Sequence, residues 1–214
     1  MDHLTDFTVI TKFKWVVFLN LFSCVVFSQE QKDTVYLLNG KIFVAPVIDT
    51  LLGGVTILNS NDSTDKFTID NENLFSVNFA NGTTCYYYDY DTLAGNFFTR
   101  DEMKYYMHGE RDAKKGFTAK GAFYGGMFAG FLGGLSGNFI GPVVPFTFFT
   151  LTGIPKVRIR HETISNPYFI DHDPYILGYE RRARSKRRNK SMIGGGIGLV
   201  AGYAVNFLIA RLSK

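Results

Sequence analysis

The sequence predicts an α+β membrane protein: a small SH3-like β-barrel module, then an amphipathic helix, then glycine-rich transmembrane helices. Three observations point there. Residues 29–116 carry 13 acidic and 8 basic side chains and break into short strand-like runs. Residues 121–155 are 35 in a row without a charged side chain. Residues 154–190 then carry 10 bases and 4 acids, just ahead of a second apolar run from Met192 to Ala210. The formal charge of +4 over 214 residues is therefore split between an acidic module and a basic segment. It is not the continuous basic face that nucleic acid requires, and no nucleic-acid partner is expected.

Residues 1–28 read as a cleaved export signal. Lys12 and Lys14 precede an apolar run from Trp15 to Phe27, too short for a comfortable span of roughly 20 residues. Val26 and Ser28 suit cleavage before Gln29. An uncleaved anchor, or a lipoprotein site at Cys24, are the alternatives. Cys24 leaves with the signal, so the mature chain keeps one cysteine, Cys85, and no internal disulfide.

Residues 29–92 form the exported β module. Val35 to Leu38, Lys41 to Asp49, Val55 to Leu58, Phe67 to Ile69, Phe75 to Ala80 and Thr83 to Tyr88 read as strands separated by turn residues. Phe75, Val77 and Phe79 are expected on one face, and Asn81-Gly82 predicts a type I′ turn. Pro46 marks an edge or bulge, since proline donates nothing to a ladder. Tyr86, Tyr88 and Tyr90 offer a partner surface, set against the simpler reading that alternate tyrosines pack inward. Residues 93–116 hold the amphipathic helix. Thr99-Arg100-Asp101-Glu102 is a capping box, and Gly109 inside the helix costs about 1 kcal/mol relative to alanine. Glu110-Arg111-Asp112 reads as a solvated or interfacial charge cluster.

Residues 117–155 are the first membrane region. Gly126, Gly130 and Gly134 recur every four residues, and so do Gly194, Gly198 and Gly202 in the transmembrane helix at 191–210. Four residues advance 400° at 3.6 per turn, so each set is a smooth strip where a helix, of the same chain or another copy, approaches closely. Gly196 to Ala201 also fits a dinucleotide glycine pattern, but it follows a basic helical run where that pattern needs a strand. Residues 156–190 form a basic linker and helix. From Pro174 that helix carries Tyr175, Tyr179 and Ala183 on one face. Arg181, Arg182, Arg184, Lys186, Arg187, Arg188 and Lys190 then stand against the apolar run, where basic groups attract anionic lipid. Thirty-five uncharged residues have the length for a hairpin turning near Ser136-Gly137-Asn138. The positive-inside tendency instead favours a single pass plus an interfacial Pro142–Pro155 segment, with Arg181–Lys190 across the bilayer from the β module. The single pass is the expectation.

Phe27-Ser28-Gln29 followed by Asp33-Thr34-Val35-Tyr36-Leu37-Leu38-Asn39-Gly40-Lys41 resembles the start of small uncharacterised envelope proteins of Bacteroidota. The likeness continues through Gly109-Glu110-Arg111-Asp112-Ala113 and Asp173-Pro174-Tyr175-Ile176-Leu177-Gly178-Tyr179, where one tyrosine falls a place early. The resemblance implies a bacterial envelope location, with the inner membrane favoured over the outer, and supplies no catalytic residue. No catalytic constellation, cofactor site or metal site is expected; Asp171-His172-Asp173 is too contiguous to converge on one ion. The predicted role is non-enzymatic: an exported interaction module anchored by glycine-striped helices, with membrane lipid and a second copy or an envelope protein as partners. The alternative is a permeation or transport component for ions or small solutes, with Asn138 and Asn206 as its polar groups.

Overall fold

The computed structural model describes residues 32–51, 53–59 and 62–212. Residues 1–28, read above as an export signal and including Cys24, lie outside them. Among the described residues the architecture is α+β, with two small antiparallel sheets and four α-helices. One sheet has the order β2-β1-β6-β7, from β1 (Thr34–Leu37), β2 (Ile42–Val44), β6 (Leu74–Asn78) and β7 (Thr84–Tyr86). The other has the order β3-β4-β5, from β3 (Val47–Leu51), β4 (Gly54–Asn59) and β5 (Asp62–Asp70). The helices are α1 (Arg100–Gly116), α2 (Lys120–Leu135), α3 (Val143–Thr152) and α4 (Asp173–Leu212).

Val35, Leu37, Val55, Ile57, Ile69, Leu74 and Val77, drawn from both sheets, share one core with Ala45 of the joint between them. The strand expected from Lys41 to Asp49 breaks at Ala45-Pro46, and its halves join different sheets. Asp33 fastens this joint: its carboxylate accepts from Val47 N at 2.8 Å and from Ala80 N at 2.7 Å.

Two local expectations change. Tyr36 pairs with Ser76 and Leu37 with Leu74, so Phe75 is the extra residue of a bulge. It leaves the face of Val77 and packs with Met103, Tyr106 and Met107 of α1. The Asn81-Gly82 turn is not type I′, because only Gly82 has a positive φ, +85°. Gly82 N donates to Phe79 O and Phe79 N to Thr83 O, giving the three-residue loop with a left-handed glycine. Asn81 stays in an ordinary conformation because its side-chain oxygen accepts from Thr83 N at 2.9 Å. Leu37 to Lys41 repeats this arrangement, with Gly40 at φ +70° and Asn39 accepting from Lys41 N.

The capping box closes α1: Thr99 Oγ1 accepts from Glu102 N, and the Glu102 carboxylate accepts from Thr99 N. One flank of α1 lies on the first sheet, and the other runs along α4. α4 is a single helix of 40 residues, about 60 Å long. It merges the expected basic helix and the apolar helix into one rod, with Tyr175, Tyr179 and Ala183 on its buried face. Among the described residues it alone is long and apolar enough to cross a membrane.

α1 and α2 lie end to end along α4 and parallel to it. Gly109 of α1 meets Tyr175 and Tyr179, while Gly126 and Gly134 of α2 meet Ser191 and Tyr203. The chain reverses at Ser136–Pro142 and returns through α3. Gly141 meets Gly133, Phe148 meets Gly125, and Arg187 Nη1 donates to Pro155 O at 3.0 Å. Residues 121–155 thus run out along α4 and back, and Arg181–Lys190 lies beside α1, which rests on the β module.

Candidate functional site

The long α4 ties two regions together: an apolar helix packing and a polar interface between it and the β module. In the apolar half, the two glycine strips lie against each other within one chain. A Cβ at Gly130 would stand 2.8 Å from Leu199 N, and one at Gly134 2.7 Å from Tyr203 N. From the other side, a Cβ at Gly194 would stand 3.0 Å from the Phe123 carbonyl carbon, at Gly198 2.7 Å from that of Met127, and at Gly202 2.9 Å from Leu135 N. Gly126 abuts the Ser191 backbone. All six meet backbone, which cannot rotate away, so glycine sets the helix separation. Outside this seam the surface is apolar and open: Tyr124, Phe128, Phe146, Ile193, Ile197, Val200 and Phe207 are exposed.

Polar groups close the far end of the seam. Asn206 Nδ2 donates to Leu135 O at 2.9 Å, Tyr203 Oη to Asn138 O at 3.0 Å and Ser136 Oγ to Gly133 O at 2.6 Å. These bonds satisfy carbonyls at the exit of α2, which an apolar environment would otherwise leave bare. Asn206 and the Asn138 backbone are thereby engaged in holding the α2–α3 turn.

The polar interface begins with a second glycine contact. A Cβ at Gly109 would stand 2.8 Å from Tyr179 N, and one at Gly178 3.0 Å from the Tyr106 carbonyl carbon. Gly109 therefore exchanges helix propensity for close approach. The neighbouring charges are buried and not solvated: Glu110 is 6% exposed and Asp112 5%. Arg181 Nη1 donates to Tyr106 Oη at 2.7 Å, and that hydroxyl lies 3.4 Å from Glu110 Oε1. With Arg182, Phe98 and Asn39 these groups line a cavity of about 620 Å³ between α1, α4 and the β module. Asp112 Oδ2 accepts from Ser165 N at 2.9 Å, Ser165 Oγ at 2.8 Å and Tyr175 Oη at 2.8 Å, pinning the return segment to α1.

Burial raises the Glu110 carboxyl above its ordinary 4.5, against the opposing pull of Arg181, Arg182 and the Tyr106 hydroxyl. A carboxyl raised on folding adds stability below the unfolded value, and that contribution is lost as pH rises through the folded value. Glu110→Gln is therefore expected to flatten the pH dependence of stability above about pH 4.5, and to gain on the parent as the pH rises. Thermal unfolding of both proteins across that window checks this. Parallel curves would contradict it.

Much of the basic run is engaged by protein. Lys186 Nζ donates to Ala113 O, Lys114 O and Phe117 O at 3.2, 2.6 and 3.0 Å, capping the exit of α1. Burial, together with Arg182, Lys114 and Lys190, holds its ammonium below the ordinary lysine value. Arg187 caps α3 through Thr152 O and Pro155 O, Arg184 pairs with Glu180 at 2.6 Å, and Arg181 and Arg182 line the Glu110 cavity. Arg188 and Lys190 are exposed. These caps escape sequence reasoning because a capping lysine and a lipid-facing one look alike.

Of the three tyrosines, Tyr86 and Tyr90 are exposed, and the Arg100 guanidinium sits 5.0 Å from the Tyr86 ring centre. Tyr88 is 4% exposed, packs with Phe75 and Met103, and donates to Phe98 O at 2.8 Å, so it leaves the surface expected of it. Strand alternation stops applying there because β7 ends at Tyr86. Comparison with protein-family models, curated proteins and solved structures finds no match to this chain.

Proposed function

We propose that this chain is a non-enzymatic envelope membrane protein whose exported β module is held at the bilayer surface by the polar half of α4. One observation carries the reading. A single 40-residue helix packs its first half on α1, beneath the β module, and presents exposed apolar side chains along its second half. Parallel α2 and the returning α3 thicken that half into a three-helix unit, and its reversal is closed by Asn206 and Tyr203. Because α1 is bonded to α4 through Asp112, Lys186 and Arg181, the β module is fixed in orientation and not tethered by a free linker. Such an arrangement suits presentation of the β edges and of Tyr86 and Tyr90 to a partner above the membrane.

Topology tests the reading. In a chain whose native cysteines are replaced by serine, single cysteines at Lys41, Tyr168 and Asn189 are expected to react together with an impermeant reagent in intact spheroplasts. A cysteine at Leu212 is expected to react only after lysis. Protection of Asn189→Cys while Lys41→Cys reacts would overturn the reading, and so would recovery of the chain in the soluble fraction.

A further inference from the structure

We infer that the junction between the polar and apolar halves of the molecule holds a binding site for the phosphate head group of an anionic phospholipid. It rests on the membrane reading above and adds the ligand and its residues. A cavity of about 680 Å³ opens where α1 passes into α2, against the chain leaving α3 and the Arg187 turn of α4. Arg158, Arg160 and Arg187 line it, with Glu162 as the single acidic side chain. Among the described residues neither Arg158 nor Arg160 forms an ion pair, and both are exposed. Arg187 is held in place by its bonds to Thr152 O and Pro155 O.

The opposite wall is apolar. Ala122 and Phe148 line it and continue toward the exposed Tyr124 and Leu151. Arg187 lies four residues before Ser191, where α4 first meets α2. The cavity is therefore amphipathic in the sense a phospholipid needs: guanidinium groups for the phosphate at the polar level, and an apolar wall below for acyl chains. The charge complementarity selects an anionic over a zwitterionic lipid. Arg188 and Lys190 lie outside the cavity lining and serve as internal controls.

The full chain in detergent, titrated with phosphatidylglycerol or phosphatidylcholine and read by native mass spectrometry, tests this. Phosphatidylglycerol is expected to bind at one saturable site and phosphatidylcholine far more weakly. Arg158→Gln with Arg160→Gln is expected to weaken phosphatidylglycerol binding about 30-fold, roughly fivefold per charge. Arg158→Lys with Arg160→Lys should restore most of it, and Arg188→Gln with Lys190→Gln, charges outside the cavity lining, should weaken it distinctly less than the Arg158–Arg160 pair. Equal binding by the Gln pair and the parent, or equal loss in both Gln pairs, would overturn the site. Glycerol 3-phosphate binding as tightly as the lipid would assign it to a free phosphoester and overturn the lipid. Carbonate-resistant retention of the chain in membranes reports separately on the reading beneath: a retained chain without the lipid preference refutes the site alone.

Discussion

Gly130→Leu combined with Gly198→Leu is expected to separate α2 from α4 and to cause the largest loss of stability of any change in the apolar half. At Gly130 the new side chain would start 2.8 Å from Leu199 N and 2.9 Å from the Gly195 carbonyl carbon. At Gly198 it would start 2.7 Å from the Met127 carbonyl carbon and 2.9 Å from Phe131 N. Overpacking typically costs about 1–3 kcal/mol per site, and backbone neighbours place these sites at the upper end. Gly196→Leu is the informative control, since a Cβ there meets nothing within 4 Å. It gains helix propensity of up to about 1 kcal/mol and should be neutral or mildly stabilising. Gly153→Leu should fall between, because its neighbour is the flexible Arg188 side chain. Thermal unfolding in detergent ranks the three variants against the parent. A double variant as stable as Gly196→Leu would show that the glycine contact does not hold the helices.

Asp112→Ala is expected to release the return segment 156–172 from α1. The carboxylate gathers Ser165 N, Ser165 Oγ and Tyr175 Oη, and a hydrogen bond to a charged group is worth about 1.5–3 kcal/mol. Burial and the Asp112 carboxylate both hold the Tyr175 phenol above its ordinary value, so it remains a donor throughout the working range. Removing the acceptor strands a donor on a fully buried tyrosine, and the expected loss is about 3 kcal/mol or more. Asp112→Asn keeps one acceptor oxygen and should lose less. Limited proteolysis should cut first within 156–172 in the alanine variant. An unchanged cleavage pattern together with an unchanged Tm would contradict the assigned role.

What the sequence disclosed and what it hid divide along physical lines. The Thr99 capping box, the buried face of Tyr175, Tyr179 and Ala183, and the glycine strips are local periodicities, legible because helix geometry repeats every 3.6 residues. Pro46 is legible as an edge or bulge, but the division of its strand between two sheets and the bulge at Phe75 depend on which sheet captures each segment, and hydrophobic alternation carries no such information. Glu110-Arg111-Asp112 read as a solvated or interfacial cluster without its contacts, because the partners of Asp112 lie 53 and 63 residues away in sequence and Arg181 reaches Tyr106, beside Glu110, from 75 residues away. Lys186 and Arg187 read as lipid-facing for the same reason, their carbonyl partners being distant and invisible in side-chain composition. Gly109 carried a usable signal, since a glycine within a strong amphipathic helix implies a close neighbour.

Distances between spin labels measure the parallel packing on which the account rests. Tyr124 and Leu132 on α2 and Met192 and Val200 on α4 are exposed, so labels there leave the seam intact. In chains diluted with unlabelled protein, the pairs Tyr124–Met192 and Leu132–Val200 are both expected to be short, and Leu132–Met192 distinctly longer than Leu132–Val200. A Leu132–Met192 distance shorter than Leu132–Val200, or signals that vanish on dilution, would contradict parallel packing within one chain and with it the placement of the basic half of α4 beside the β module.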